Sequence, residues 1–244
     1  MLEIHNFTKR FNGRPVLFDF SLSLPRQSFT VLVGPSGCGK STLFDLLMGV
    51  MPRDGGTLDF EGEEIPDLRT RAGYMAQKDL LLPWRSLLEN ALLPVAVKRT
   101  PSAADLAEAR DLFRTLELSG FEKHYPWQVS GGMAQRCALA RTILFHAPAA
   151  LLDEPLSAVD AITRQSLRNL LLLLQSRFEK TILMTTHDVD DALFLADRIV
   201  ILSRSPLSVK EEIHLTGTKP RNPAAHDLFL LKTRILNSLQ ETTS

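Results

Sequence analysis

Residues 34 to 42 read GPSGCGKST. They fit the phosphate-binding loop pattern G-x-x-x-x-G-K-[ST], with Gly34, Gly39, Lys40 and Ser41 in the fixed places. The chemistry needs these residue types. Glycines let successive backbone N–H groups curl around a phosphate with no side chain in the way. The segment KSTLFDLLMG that follows is a predicted helix whose positive dipole end adds to the cradle. Lys40 is expected to reach the β- and γ-phosphates, and the Ser41 hydroxyl to hold Mg²⁺. A chance match arises in roughly one chain of this length per hundred. The apolar, β-branched run FTVLV at 29–33 lowers that further, because a buried strand should feed such a loop.

Around this loop the chain bounds its own class. Its 244 residues suit one large α/β domain, since single cores stop growing near ~250 residues. Lys+Arg 28 against Asp+Glu 28 gives zero formal net charge, which disfavours nucleic acid as the main partner. The two cysteines, Cys38 in the loop and Cys137 further on, cannot build a disulfide framework and suit a reduced, cytosolic setting. Cys38 reads as a small residue tolerated in the loop rather than as a reactive thiol. The start MLEIHNFTKRF carries charges among its apolar residues and no signal-peptide core. The apolar run in LRNLLLLLQS is far too short to span a bilayer and reads as a buried helix. The expectation is a soluble protein that must dock onto something if it works at a membrane.

The pattern along the chain alternates. Residues 2–33 read as strands, with Asn12-Gly13 as a hairpin turn. RDGG at 53–56 breaks the first helix, and TLDFEG at 57–62 reads as a strand. From about 86 the period becomes helical in SLLENALLPVAV and SAADLAEARDLFRTLEL, and Ser102 with Asp105 marks a helix start. Strands are predicted in AALLDEP (149–155), TILMTTH (181–187) and DRIVILS (197–203), with helices between them. Such alternation implies a mostly parallel sheet. The tail from about Thr216 is polar and then weakly helical.

Two later motifs narrow the chemistry. Asp153 and Glu154 end a buried strand, where Asp153 can support a Mg²⁺ shell and Glu154 can polarise the attacking water as a general base. Alone, a strand ending in two solvated acids is just as common. In VSGGMAQRCALAR (129–141), Ser130, Gly131 and Gly132 open a predicted helix, and their N–H groups form a second anion site. In isolation that would be an ordinary glycine-containing helix start. Two phosphate-binding helix ends so far apart in sequence suggest a two-fold dimer, with the loop of one subunit facing the SGG of the other across a shared ATP.

At this point the sequence resembles the ATP-binding cassette (ABC) transporter ATPases over nearly its whole length. The motifs GPSGCGKST, Gln77 in YMAQ, VSGGMAQR, LLDEP, SAVD (157–160) and TTH ending in His187 come in the family's order. The resemblance implies a P-loop NTPase of the ABC ATPase fold. That fold is α/β, with a RecA-like, mostly parallel core sheet, an N-terminal antiparallel β part and a helical insertion. It also implies one such domain over 1–244, the insertion at about 86–141 and a short tail at about 216–244. ATP would lie on Gly34, Pro35, Ser36, Gly37, Cys38, Gly39, Lys40, Ser41 and Thr42. Phe11 in TKRF would stack on adenine, and Ser130, Gly131, Gly132 and Asp160 would act from the other subunit. Gln77 would touch Mg²⁺ and the water and relay nucleotide state to a membrane partner. His187 would contact the γ-phosphate. Catalysis would rest on Glu154, His187, Gln77 and Lys40, and Mg²⁺ on Ser41, Gln77 and Asp153.

Two positions depart from the family pattern. Met133 stands where Gln usually follows SGG, and Phe11 replaces a more usual Tyr or Trp. Neither removes a charged catalytic group. QKDLLLPWRSLLENALLP and YPWQVSGGMAQR resemble the importer ATPases for nitrate, taurine and alkyl sulfonates, cues that thiamine-precursor importers share. The implied partners are a permease, a second copy in the nucleotide-bound state and, indirectly, an extracytoplasmic solute-binding protein. The implied place is the cytoplasmic face of the membrane. A soluble ABC ATPase is the competing expectation, although the chain has one cassette, no heptad run and no zinc spacing. A P-loop kinase would give no reason for SGGM and His187.

Overall fold

The computed structural model describes residues 1–157, 161–204, 206–222 and 225–241. Ten strands and eight α-helices alternate along them. They are β1 (Leu2–Phe11), β2 (Arg14–Leu24), β3 (Phe29–Val33), α1 (Lys40–Leu47), β4 (Gly55–Phe60), β5 (Glu63–Glu64), β6 (Ala72–Met75), α2 (Leu87–Ala91), α3 (Leu93–Ala96) and α4 (Ala103–Thr115). A 3₁₀ turn at Pro126–Gln128 leads to α5 (Gly131–Ile143), β7 (Ala149–Asp153), α6 (Ala161–Phe178), β8 (Thr181–Thr186), α7 (Val189–Leu195), β9 (Arg198–Leu202), β10 (Val209–His214) and α8 (His226–Glu241).

The strands form two sheets. One is antiparallel, in the order β2-β1-β4-β5; the other runs β10-β9-β3-β8-β7-β6. In the second sheet β9, β3, β8, β7 and β6 are parallel, and only β10 runs against its neighbour. The expected α/β fold, with a mostly parallel core sheet and an N-terminal antiparallel part, is therefore present. Successive side chains of a strand face opposite ways. Val31, Val33, Ile182, Met184, Ile199 and Ile201 accordingly join the cluster under α5, α6 and α7. Leu32, Leu183, Val200 and Leu202 join the other, with Leu43, Phe44, Leu46 and Leu47 of α1 and the inner face of β1, β2 and β4. A sheet covered on both faces is mostly apolar, which is why β3 and β9 read as nearly continuous hydrophobic runs, broken only by the buried Thr30 and Arg198.

The Asn12-Gly13 turn joins β1 to β2 with both residues left-handed, at φ 49° and 78°, the conformation a two-residue hairpin of this hand requires. Ser102 caps α4 as expected: its hydroxyl accepts from the Asp105 N–H, and the Asp105 carboxylate returns to the Ser102 N–H at 2.6 Å. Arg99 and then Ser102 hold the Asp105 carboxyl well below the usual carboxylate range. A second box, Ser86 with Glu89, starts α2. The leucine run lies in α6, where Leu167 and Leu171 are buried while Leu173 is 38% exposed. Among the described residues no helix is long and apolar enough to cross a membrane.

Three strands escaped the sequence reading. β6 is short, contains Gly73 and shows no alternation. Its glycine is forced by packing, because a Cβ there would meet the Thr142 carbonyl oxygen of α5 at 2.5 Å. β5 has only two residues. β10, VKEEIH, is an edge strand whose burial alternates between half-buried and exposed, so its charges hide the pattern. The helical tail is real: α8 buries Ile235 and ties to α7 through Lys232 and Asp190 at 2.7 Å.

Candidate nucleotide site

In a parallel sheet, loops at the carboxyl ends of strands form the binding crevice. Here that edge carries the motif residues. β3 ends at Val33, immediately before the glycine-rich loop, and pairs with Thr186 at the end of β8. Asp153 ends β7 opposite Thr185, and Met75 ends β6 opposite Leu152, two residues before Gln77. Register alone thus gathers segments more than a hundred residues apart.

The loop folds as its glycines permit. Gly37 and Gly39 have φ of 77° and 114°. A Cβ at Gly39 would meet Val16 Cγ1 at 3.1 Å, while one at Gly37 would meet nothing within 4 Å. Gly39 precedes α1, and that helix start has no side-chain cap. Its first-turn N–H groups are therefore available to an anion. Lys40 is 6% exposed, and its ammonium donates to the Gly34 and Pro35 carbonyls at 2.8 and 3.0 Å. Among the described residues Lys40 forms no ion pair. A buried cation held only by carbonyls suits a polyanionic ligand. Cys38 is buried, and burial pushes its thiol up, against reactivity.

A cleft of about 480 Å³ opens here, lined by Phe11, Val16, Ser36, Gly37, Gly39, Lys40, Ser41, Thr42, Gln77, Glu154 and His187. Most of the residues singled out in the sequence meet in this one space. Of the same loop, Gly34, Pro35 and Cys38 are not among the lining residues. Phe11 is 44% exposed at the mouth, with the Lys9 ammonium 5.6 Å from its ring centre.

Behind the cleft Thr185 organises both acids. Its hydroxyl donates to Asp153 Oδ1 at 2.5 Å and accepts from the Glu154 N–H at 3.0 Å. The same N–H also reaches the Thr185 carbonyl at 3.2 Å. Glu154 is left-handed, at φ 48°. A non-glycine residue there is strained, and such strain clusters where a side chain must be aimed. Its Oε2 lies 3.2 Å from His187 Nδ1. Asp153 is 2% exposed. Burial and then the charge of Asp153 raise the nearby Asp45 carboxyl, and burial with both aspartates raises the Tyr74 phenol. Asp153, in no ion pair among the described residues, stands behind the cleft that Ser41 and Gln77 line, and oxygen donors of these three kinds suit a hard divalent cation. Thr185 and Val16 were not singled out in the sequence. The doubled threonine of TTH was the available signal for the first.

Ser130, Gly131 and Gly132 do not line this cleft. Ser130 caps α5, its hydroxyl accepting from the Met133 N–H at 3.3 Å. Ser130 and Gly131 are exposed, and a Cβ at Gly131 would meet nothing within 4 Å. Asp160 lies outside the described residues.

Residues 17–157 match the sequence model of the family described as ABC transporter. The chain belongs to the ABC transporter family. This cassette is 37% identical to the taurine import ATP-binding protein of Escherichia coli O157:H7 over 88% of its own length and 84% of that protein. It is 36% identical to the aliphatic sulfonates import ATP-binding protein of Burkholderia lata, over 99% of this chain and 87% of that one. An ABC transporter ATP-binding protein of Methanocaldococcus jannaschii is 36% identical over 98% of this chain and 91% of that one. A dimeric bacterial ABC transporter cassette superposes with a TM-score of 0.81 at 28% identity, over 89% of this chain and 100% of that one. A dimeric post-hydrolysis cassette bound to ADP and Pi gives 0.79 at the same identity and coverage. The cassette is an ATPase of this family, and the resemblance to taurine and sulfonate importer subunits holds.

Proposed function

We propose that this cassette is the ATP-hydrolysing subunit of an importer. It would power uptake of a small solute of the nitrate, taurine or sulfonate type through a separate permease, at the cytoplasmic face of the membrane. The observation that carries the chemistry is the meeting of Lys40, Gln77, Glu154 and His187 in one cleft at the mouth of the glycine-rich loop. The importer names of its relatives support the transport role. An extracytoplasmic solute-binding protein would deliver the solute and would not touch this subunit.

Each residue then has a task. The loop N–H groups and the α1 dipole cradle the phosphates, and Phe11 faces the base. Lys40 leaves the Gly34 and Pro35 carbonyls for the β- and γ-phosphate oxygens. Glu154 accepts the proton of the attacking water. His187, whose Nδ1 lies 3.2 Å from Glu154 Oε2, contacts the γ-phosphate and keeps the carboxylate aimed. Ser41, Gln77 and Asp153 would hold Mg²⁺, which neutralises charge on the β- and γ-phosphate oxygens when bound.

Lys40→Ala is expected to weaken ATP binding about tenfold to a hundredfold, because it removes a charge-assisted contact from a buried site. Titration with a fluorescent ATP analogue measures this. Wild-type affinity would remove Lys40 from the phosphate-binding role.

Coupling to the permease needs an apolar surface outside the cleft. Of the segment after Gln77, Leu81 is buried and belongs to the core, whereas Leu80 and Trp84 are 60% and 71% exposed. Leu87 and Leu88 donate to the His124 and Glu122 carbonyls. That pairing brings the chain around Tyr125 and Trp127 beside the Trp84 segment. Tyr125 and Trp127 stack at 6.1 Å, and Trp127 is 72% exposed. We place the permease contact on Trp84 and Trp127, since aromatic anchors carry much of an interface's energy. Trp84→Ser and Trp127→Ser should each cut permease pull-down and solute uptake about tenfold or more, with basal hydrolysis by the isolated subunit unchanged. Normal pull-down and uptake by both folded variants would move the contact elsewhere. Co-purification of the tagged subunit with a membrane protein tests the transport reading itself, and recovery with ribosomes or DNA instead would replace it.

A further inference from the structure

Gln77 sits on a short arch of chain, and both feet of that arch rest on one helix. The first foot is the end of β6. There the Thr142 carbonyl approaches so closely that Gly73 can carry no side chain. The Thr142 hydroxyl lies 3.4 Å from the Tyr74 carbonyl and 3.0 Å from Ala138 O, so its one proton is shared. The second foot is held by the adjacent residue of α5. The Arg141 guanidinium donates to the Asp79 carbonyl at 2.6 Å and to the Leu80 carbonyl at 2.9 Å. Leu80 is left-handed, at φ 47°, so both carbonyls can turn to one fork. Beyond it the fully buried Asn90 of α2 accepts from the Leu82 N–H at 2.7 Å and donates to the Leu82 carbonyl at 3.1 Å. Among the described residues Arg141 forms no close ion pair, although the Asp79 carboxylate acts on it at longer range. Its charge is directed to the two backbone carbonyls.

We propose that Arg141 is a positioning residue for Gln77. It fixes the far foot of the arch to α5, so that Gln77 moves with the helix whose other end is Ser130 and Gly131. About eleven residues of helix, roughly 16 Å at 1.5 Å per residue, then join the exposed start of α5 to the arch. The inference rests on the role given to Gln77 above, but the clamp can be tested without it.

The test uses the full chain. Hydrogen exchange read by mass spectrometry is followed over residues 76–82 in Arg141→Gln and Arg141→Lys, beside Tm and steady-state hydrolysis. Loss of two charge-assisted bonds should speed exchange in that segment about tenfold or more, with β6 and α5 unaffected. Arg141→Lys keeps the charge and the stem but only one aimed donor, so exchange should fall between. It carries the test alone if Arg141→Gln does not fold. Turnover at saturating ATP should fall about tenfold in Arg141→Gln, with KM for ATP unchanged, because the phosphate cradle is untouched. In a Gln77→Ala background Arg141→Gln should cost no further turnover. Unchanged exchange over 76–82 overturns the clamp. Faster exchange with losses that multiply in the double variant overturns action through Gln77. Faster exchange together with wild-type turnover in Gln77→Ala supports the clamp and overturns the role given to Gln77.

Discussion

Glu154→Gln is expected to stop turnover while leaving ATP bound. Hydrolysis should fall about 10²- to 10⁴-fold, the usual contribution of a positioned general base. The substitution keeps size and shape and removes only the ability to take a proton. Its backbone N–H would still reach the Thr185 hydroxyl and carbonyl, and the new amide could still hydrogen-bond His187. The loop and Lys40 are unaltered, so affinity should stay within about twofold, as expected when ground-state contacts are kept. With hydrolysis blocked, the ATP-bound dimer should accumulate. Phosphate release in the steady state and gel filtration with and without ATP read the two outcomes. Near-normal turnover would remove Glu154 from the base role and point to His187 or to water alone.

Different parts of this molecule were legible for different reasons. GPSGCGKST declares itself because its function is carried by backbone N–H groups, which fix glycines at set spacings. Strands β3, β7, β8 and β9 were readable because burial on both faces leaves them nearly wholly apolar. The pairing of β6 with β7 was not readable, because AGYM is four residues long and its glycine answers to α5 rather than to the sheet. The meeting of Gln77, Glu154 and His187 was implied by family resemblance only. No local pattern links them; the parallel register does. Thr185 was hidden among ordinary strand threonines until its hydroxyl was seen between Asp153 and Glu154. In the tail, α8 was read as weakly helical, yet its apolar residues recur at helical spacing: Ile235 is buried, and Leu228 and Leu231 pack on the core while Phe229 and Leu230 stay exposed. Trp84 and Trp127 could be quoted from the sequence, but which of the neighbouring leucines are core could not.

Gly132→Asp is expected to abolish hydrolysis without touching the cleft of its own subunit. The reason is geometric. α1 offers its N-terminus to the cleft, and α5 offers a second, capped by Ser130 and exposed, whose residues are absent from the cleft lining. A second copy can bring the two together, and solved cassettes similar to this one include dimers. In that arrangement the SGG N–H groups of one subunit face the γ-phosphate held by Lys40 of the other. A carboxylate there would meet the phosphate with like charge at a helix end that favours anions. Losing one such preorganised donor costs about 10²- to 10³-fold in turnover, and a repelling charge should cost at least that. ATP binding to the single subunit should be unchanged, because its own loop is intact. Mixing Gly132→Asp with Lys40→Ala separates the alternatives. A mixed dimer regains one intact composite site, so activity above that of either variant alone indicates action across the dimer. A direct distance test joins Ser36→Cys to Gly132→Cys in a Cys38→Ala, Cys137→Ala background. With ATP and Glu154→Gln to hold the dimer closed, oxidation should give a species of twice the chain mass, and far less of it without ATP. Crosslinks confined to one chain would mean that Ser130 and Gly132 serve their own cleft, and the head-to-tail arrangement would then be wrong for this cassette.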